Sequence, residues 1–240
     1  RLRGCGLRAR LQKPSATHAE LLKSPNWNAV PAELIPSLLE KNPSRLQQRL
    51  KELQDLTDWV HLDICDGIFV SSRTVALEEL RSLSFPPNVE LHLMVRDPQL
   101  LLEKADFVRS KRVVIHPGPA GDGLSVIRTI QNSGAKAGLA LEYMTNTHRF
   151  EDALREANFI VVMPIHAGRQ GQQFHPEALQ LIRKVRSIIP RTPIEVDGAM
   201  NPETIPWVIE AGASIINVGS YLWGGDSLED RWRECQAVIR

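Results

Sequence analysis

Cysteine is scarce. Cys5, Cys65 and Cys235 are odd in number, far apart and free of any Cys-x-x-Cys spacing, which argues against both a disulfide framework and a cysteine zinc site. A reducing, cytoplasmic setting is the expectation. No stretch approaches the roughly 18 consecutive apolar residues of a membrane-spanning helix, so no membrane partner is expected. Charge of one sign is lacking too: 29 Lys and Arg face 28 Asp and Glu, and no global field favours nucleic acid. Any anion must be bound locally. The local exception is the start, where Arg1, Arg3, Arg8, Arg10 and Lys13 occur without an acid. Transit segments, nucleic-acid arms and disordered extensions share that composition, and residues 1–32 are read as a disordered basic extension leading into a domain of 33–240.

What is present is one domain's worth of core. With 240 residues and 42% hydrophobic content, a single (β/α)8 TIM barrel would use nearly all the chain. Short apolar runs rich in Val, Ile and Leu predict strands near 33–37, 59–64, 89–95, 112–116, 136–142, 159–163, 193–197 and 214–219. Between them, Leu46, Leu50 and Leu53 recur at helical spacing, as do Ala178, Leu181, Ile182, Val185 and Ile189. Pro43-Ser44, Asp97-Pro98, His175-Pro176 and Asn201-Pro202 mark helix starts, and Gly134 and Gly212 mark helix ends. An open doubly wound sheet has the same periodicity. The polar residues favour the closed barrel, because His61, Asp63, His92, Asp197 and Gly219-Ser220 would then converge at its C-terminal mouth.

Strand alternation puts His61 and Asp63 on one face, with Val60, Leu62 and Ile64 on the other. For one such pair, a hydrogen-bonded polar couple inside the barrel is the plainer reading. Four residues, two imidazoles and two carboxylates at strand ends, favour a divalent metal with positions left for substrate oxygens. The candidates for an anion site are the loops carrying Gly171, Gly198 and Gly219-Ser220, whose backbone N–H groups suit a phosphate.

At these residues the sequence resembles the ribulose-phosphate 3-epimerase family, from about Leu34 to Trp223. His61-Leu62-Asp63-Ile64-Cys65-Asp66-Gly67-Ile68-Phe69-Val70 is similar to H-x-D-x-M-D-G-x-F-V, and His92-Leu93-Met94-Val95 to H-L-M-V. Pro36-Ser37-Leu38-Leu39 looks like the first strand, Val196-Asp197-Gly198 like V-D-G-G and Val218-Gly219-Ser220 like V-x-G-S. The resemblance implies a metal, Zn, Fe, Mn or Co, on His61, Asp63, His92 and Asp197. It implies Asp63 and Asp197 as paired acid and base, with Met94 and Met163 as apolar walls. It also implies a sugar-phosphate substrate at Ser37, His92, Gly168, Gly171, Gln172, Asp197, Gly198, Gly219 and Ser220, and a homo-oligomer.

The loop after the sixth strand departs from M-x-V-N/E-P-G-F-G-G-Q-x-F. It reads Met163-Pro164-Ile165-His166-Ala167-Gly168-Arg169-Gln170-Gly171-Gln172-Gln173-Phe174. Arg169 is read either as a grip on phosphate or as a solvated cation. Ala199 replaces the second Gly of V-D-G-G, and Ser71-Ser72 replaces Pro-Asn. Three function classes follow: an active epimerase; a protein with an altered substrate, such as a hexulose 6-phosphate, or a sugar-phosphate binder without turnover; and nucleic-acid binding by the basic leader, which rests on five charges alone.

Overall fold

Strand β1 (Glu33–Leu38) begins where the apolar pattern begins, and helix α1 (Pro43–Leu53) follows it. Asn42 caps α1, its side chain accepting the Arg45 N–H at 3.1 Å, and Pro43 fits the first turn, where a missing N–H costs nothing. Leu46, Leu50 and Leu53 form its buried stripe. The alternation then continues through β2 (Trp59–Cys65), α2 (Leu77–Leu80), β3 (Asn88–Met94), α3 (Pro98–Lys104), β4 (Arg112–Ile115), α4 (Leu124–Asn132), β5 (Lys136–Glu142), α5 (Glu151–Glu156), β6 (Phe159–Met163), α6 (Glu177–Ile188), β7 (Ile194–Asp197), α7 (Ile205–Ala211) and β8 (Ile215–Val218). Two further helices, α8 (Ser220–Trp223) and α9 (Leu228–Ala237), come after β8.

The computed structural model describes residues 32–104, 110–118 and 121–239. The expected extension of residues 1–32 lies outside these, apart from Ala32. All strands pair in parallel with their sequence neighbours, and β8 closes on β1, with Asn217 opposite Ile35 and Glu33 opposite Ile215. The fold is a single-domain (β/α)8 barrel. The strand expectations hold to within a residue or so at each end. One helix start is displaced: at Asn201-Pro202 the Asn201 side chain accepts the N–H groups of Glu203 (2.8 Å) and Thr204 (3.2 Å). That ties off a tight turn, and the helix begins at Ile205.

Alternation on each strand separates two sets of side chains. Val60, Leu62 and Ile64 of β2 join the main apolar cluster with the α-helical stripes, including Ala178, Leu181, Ile182 and Val185 of α6. Inside the barrel, Val114, Ala140, Phe159, Val161, Met163 and Ile165 form a second apolar cluster contributed by β4, β5 and β6. His61 and Asp63 of β2, Glu90 and His92 of β3, Glu195 and Asp197 of β7 and Asn217 of β8 are buried polar residues on the inward face. The interior is therefore divided into an apolar half and a charged half, and the chemistry has only the second available to it.

Gly138 marks the tightest point of the apolar half. A Cβ there would lie 2.5 Å from the Phe159 ring, which crosses the bare backbone of β5. Gly138→Ala should force the ring or the strand aside and cost about 1–3 kcal/mol of stability, the usual range for overpacking. Denaturant midpoints of the two proteins measure this; equal midpoints would mean the ring has room to move.

Candidate metal centre and active site

Register brings the candidate ligands together from strands that are neighbours in the barrel. Asp63 pairs across to His92, and Asp197 to Asn217 beside β1, whose Ser37 lies opposite His61. His61 and His92 are fully buried, while Asp63 and Asp197 each keep 6% exposure. The carboxylates thus reach the cavity above and the imidazoles form its floor.

His61 Nε2 lies 3.3 Å from Asp63 Oδ1, 3.3 Å from His92 Nδ1 and 3.8 Å from Asp197 Oδ2. His92 Nδ1 lies 3.3 Å from the same Asp63 oxygen and 3.4 Å from Asp197 Oδ2. Four donor atoms converge on one point. Ligands about 2.0–2.1 Å from a common centre in tetrahedral array stand about 3.3–3.4 Å apart, so this quartet fits a divalent ion. Its charge fits as well. Burial disfavours an ionised Asp63, yet hydrogen bonds from His61 and His92 outweigh it and hold the carboxyl below the ordinary range. Burial likewise works against a charged His61, but Asp197, Asp63 and Glu90 together push its pKa well up. The site calls for positive charge.

Each imidazole also has an outer partner. His61 Nδ1 meets Glu90 Oε1 at 2.6 Å, and His92 Nε2 meets His116 Nε2 at 2.9 Å with the two rings stacked. His116 is itself buried; burial, reinforced by His92, drives its pKa well below the ordinary value and keeps it neutral. A neutral ring can accept the His92 proton.

The cavity over the quartet is bounded by Ser37, Met94 and Met163 and by loops after three strands. The β6 loop contributes Gly168, Arg169, Gln170 and Gly171, the β7 loop Gly198 and Ala199, and the β8 loop Gly219 and Ser220. Ser37 Oγ donates to Asp63 Oδ2 at 3.4 Å, so one oxygen of Asp63 faces the imidazoles and the other the cavity. Two glycines are dictated by contact and by backbone. A Cβ on Gly168 (φ 82°) would fall 2.5 Å from Val70, and one on Gly198 (φ 112°) 2.4 Å from Ile165. The β2 loop is clasped by Asp66, whose carboxylate accepts the N–H groups of Ile68 (2.7 Å), Phe69 (2.8 Å) and Arg96 (2.7 Å). That clasp joins the β2 and β3 loops.

The model of the ribulose-phosphate 3-epimerase family matches residues 33–223. The chain belongs to this family. A Mycobacterium bovis protein named ribulose-phosphate 3-epimerase is 30% identical over 199 residues, 80% of this chain and 86% of its own length. A rice protein named as the cytoplasmic isoform is 30% identical over 203 residues, 82% and 89% of the two chains, and one from Synechocystis is 32% identical over 197, covering 77% and 84%. Among solved structures, a 3-hexulose-6-phosphate synthase aligns with a TM-score of 0.65 at 18% identity, covering 87% of this chain and 100% of that one, a likeness of fold.

Set against the family pattern, the structure places the departures of this epimerase-family chain around the cavity and leaves the quartet alone. Arg169 and Gln170 line the cavity, and Gln172 turns its amide inward, donating to the carbonyls of His166 (2.6 Å) and Arg169 (2.7 Å). His166 and His175 engage the end of β5 and the residue after it: His166 Nδ1 binds Glu142 at 2.9 Å and His175 stacks on Tyr143 at 4.1 Å. Glu90, Glu195 and Asn217 escape a reading by motif. They sit two residues before His92, Asp197 and Gly219, so the same alternation that finds the ligands also points these inward. His116 is a buried partner of His92.

Ala199 adopts φ 56°, the left-handed region, and is the only non-glycine among the described residues with positive φ. The Thr204 hydroxyl holds it there by donating to its carbonyl at 2.9 Å. Ala199→Gly should relieve the strain, and after glycine's extra chain entropy a net gain of about 0.5–1 kcal/mol remains. Thermal unfolding reads the difference, and a lower midpoint for the Gly protein would show that the neighbours of Ala199 outweigh its backbone strain.

Proposed function

We propose that this chain is a metal-dependent ribulose-phosphate 3-epimerase that interconverts D-ribulose 5-phosphate and D-xylulose 5-phosphate. The observation that carries the reading is that Asp63 and Asp197 belong to one quartet and both open onto one cavity ringed by glycine-bearing loops. Inverting a carbon beside a carbonyl requires removing a weakly acidic proton from one face and returning one from the other. A divalent ion, Zn, Fe, Mn or Co, held by His61, Asp63, His92 and Asp197 would supply Lewis-acid stabilisation of the oxyanion that this creates.

The protein's own groups divide the remaining work. Asp63 and Asp197 exchange the roles of base and acid according to the direction of reaction. Ser37 holds the outer oxygen of Asp63 in place. Met94 and Met163 help keep water from the reacting carbon. We assign the phosphate to backbone N–H groups of Gly198, Gly219 and Ser220, with Gly168 and Gly171 of the β6 loop closing over the sugar. Gln172 holds that loop from within, and Arg169 adds a cation at the cavity wall.

Two further expectations remain proposals. Cytoplasmic residence is supported by the name of the rice relative and by Cys65 and Cys235, which are free, buried thiols. Among the described residues no helix is long and apolar enough to cross a membrane. A homo-oligomer is the reading the family resemblance implies, and Ile68, Leu100 and Met144 are the exposed large apolar side chains of the described residues.

Ribulose 5-phosphate in deuterium oxide should gain deuterium at C3 with the wild-type protein. With Asp197→Asn the exchange should slow by at least about 10²-fold while metal content is kept, because the amide still offers an oxygen ligand but accepts no proton. Near wild-type exchange at full metal occupancy would reduce Asp197 to a structural role. No exchange by the metal-loaded wild type would favour the altered substrate or the binder without turnover. His92→Ala should lose most of the metal, read by elemental analysis, and an unchanged content would remove His92 from the ligand set.

A further inference from the structure

Beneath the quartet, the charged half of the barrel holds a second layer of polar side chains that no step of the epimerisation uses. Glu90 is directly opposite His61 in the β2–β3 register and is fully buried. Its Oε1 lies 2.6 Å from His61 Nδ1, while the other ring nitrogen of His61 faces Asp63, His92 and Asp197. A carboxylate oxygen this close to Nδ1 requires a proton between them, since two lone pairs would repel. With that proton fixed on Nδ1, the lone pair of Nε2 is directed at the quartet.

Glu90 is in turn restrained on its far side. Its Oε2 has no hydrogen-bond partner but lies 3.6 Å from Arg112 Nη1. Arg112 is anchored by Glu33 Oε2 at 2.9 Å and by the face of Trp59 at 4.0 Å. On the other flank, Asn217 Nδ2 donates to Glu195 Oε1 at 2.5 Å. His92 has no carboxylate at this place, its outer nitrogen meeting the imidazole of His116.

We propose that Glu90 is the positioning residue of the metal centre: it sets the tautomer and orientation of His61, raises the donor strength of Nε2, and is itself held by Arg112. The inference rests on the reading of the quartet as a metal site. It gives Glu90 no contact with substrate. Its removal should weaken metal binding and alter the ligand field while leaving the barrel folded, because Arg112 keeps Glu33 and Glu195 as counter-charges.

The test uses the full chain, stripped of metal and titrated with Zn2+ against a chromophoric chelator, then with Co2+ to record its visible absorption. Wild type should bind one equivalent. Glu90→Leu should bind Zn2+ about 10- to 100-fold more weakly, the cost typical of losing the partner behind a ligand histidine, and its Co2+ spectrum should shift; Glu90→Gln, whose amide oxygen still accepts the Nδ1 proton, should lose less. Circular dichroism and unfolding midpoints confirm the fold of each variant; should the Leu protein fail to fold, Glu90→Met, of similar volume, decides. Wild-type Zn2+ affinity and an unchanged Co2+ spectrum in the folded Leu or Met protein would overturn the inference alone, leaving Glu90 as filling. No Zn2+ uptake by the wild type would overturn the metal-centre reading, and the role of Glu90 with it.

Discussion

Negative charge buried within a closed barrel is the constraint on which the rest of the structure depends. Asp63, Asp197, Glu90 and Glu195 all point into one half of the interior, at 6% exposure or less. Carboxylates removed from water are costly unless they are neutralised or strongly hydrogen-bonded. The barrel answers at two levels. Low in the interior, Arg112 supplies a cation, and burial together with the charge of Glu90 pushes the pKa of Glu195 well up, so that this pair need not carry two charges. Higher up, Asp63 and Asp197 face two imidazoles whose pKa values those carboxylates raise. The upper level is where a divalent ion fits.

The same division explains why the other half of the interior is so plain. Val114, Ala140, Val161 and Phe159 offer nothing to titrate, and Gly138 leaves room for the tip of the Phe159 ring against β5. That packed wall lowers the local dielectric response beside the quartet and strengthens each electrostatic contact there. Above it, the cavity is built from backbone as much as from side chains. Gly198 against Ile165 and Gly168 against Val70 are close approaches that a Cβ would block. The strained Ala199 sits in the same rim, pinned by Thr204.

Much of this was legible in the residues. Period-two alternation placed His61 and Asp63 on one face and assigned the eight strands nearly to their ends, because a strand buried on both sides must be apolar wherever it meets the helices. The helix after β1 could be read from Pro43-Ser44 and three leucines, all local signals. The true start of α7 was not, since the side chains of Asn201 and Thr204 each accept the other's backbone N–H and tie off a turn there. The role of His116 was not legible, for its meaning lies in the His92 ring on the neighbouring strand.

The sequence by itself therefore determined the kind of elements, their order and the chemical types available at the strand ends, because these follow from local periodicity and from motifs only a few residues long. Tertiary structure decided which nitrogen of each histidine faces the quartet, and that Glu90 rather than another acid stands behind His61. It also decided that Arg169 and Gln170 come to line the cavity. Those outcomes depend on barrel closure and strand register, which bring His61 and Asn217, 156 positions apart, to 2.8 Å. No local pattern encodes a distance of that kind; it exists only once the eighth strand has met the first.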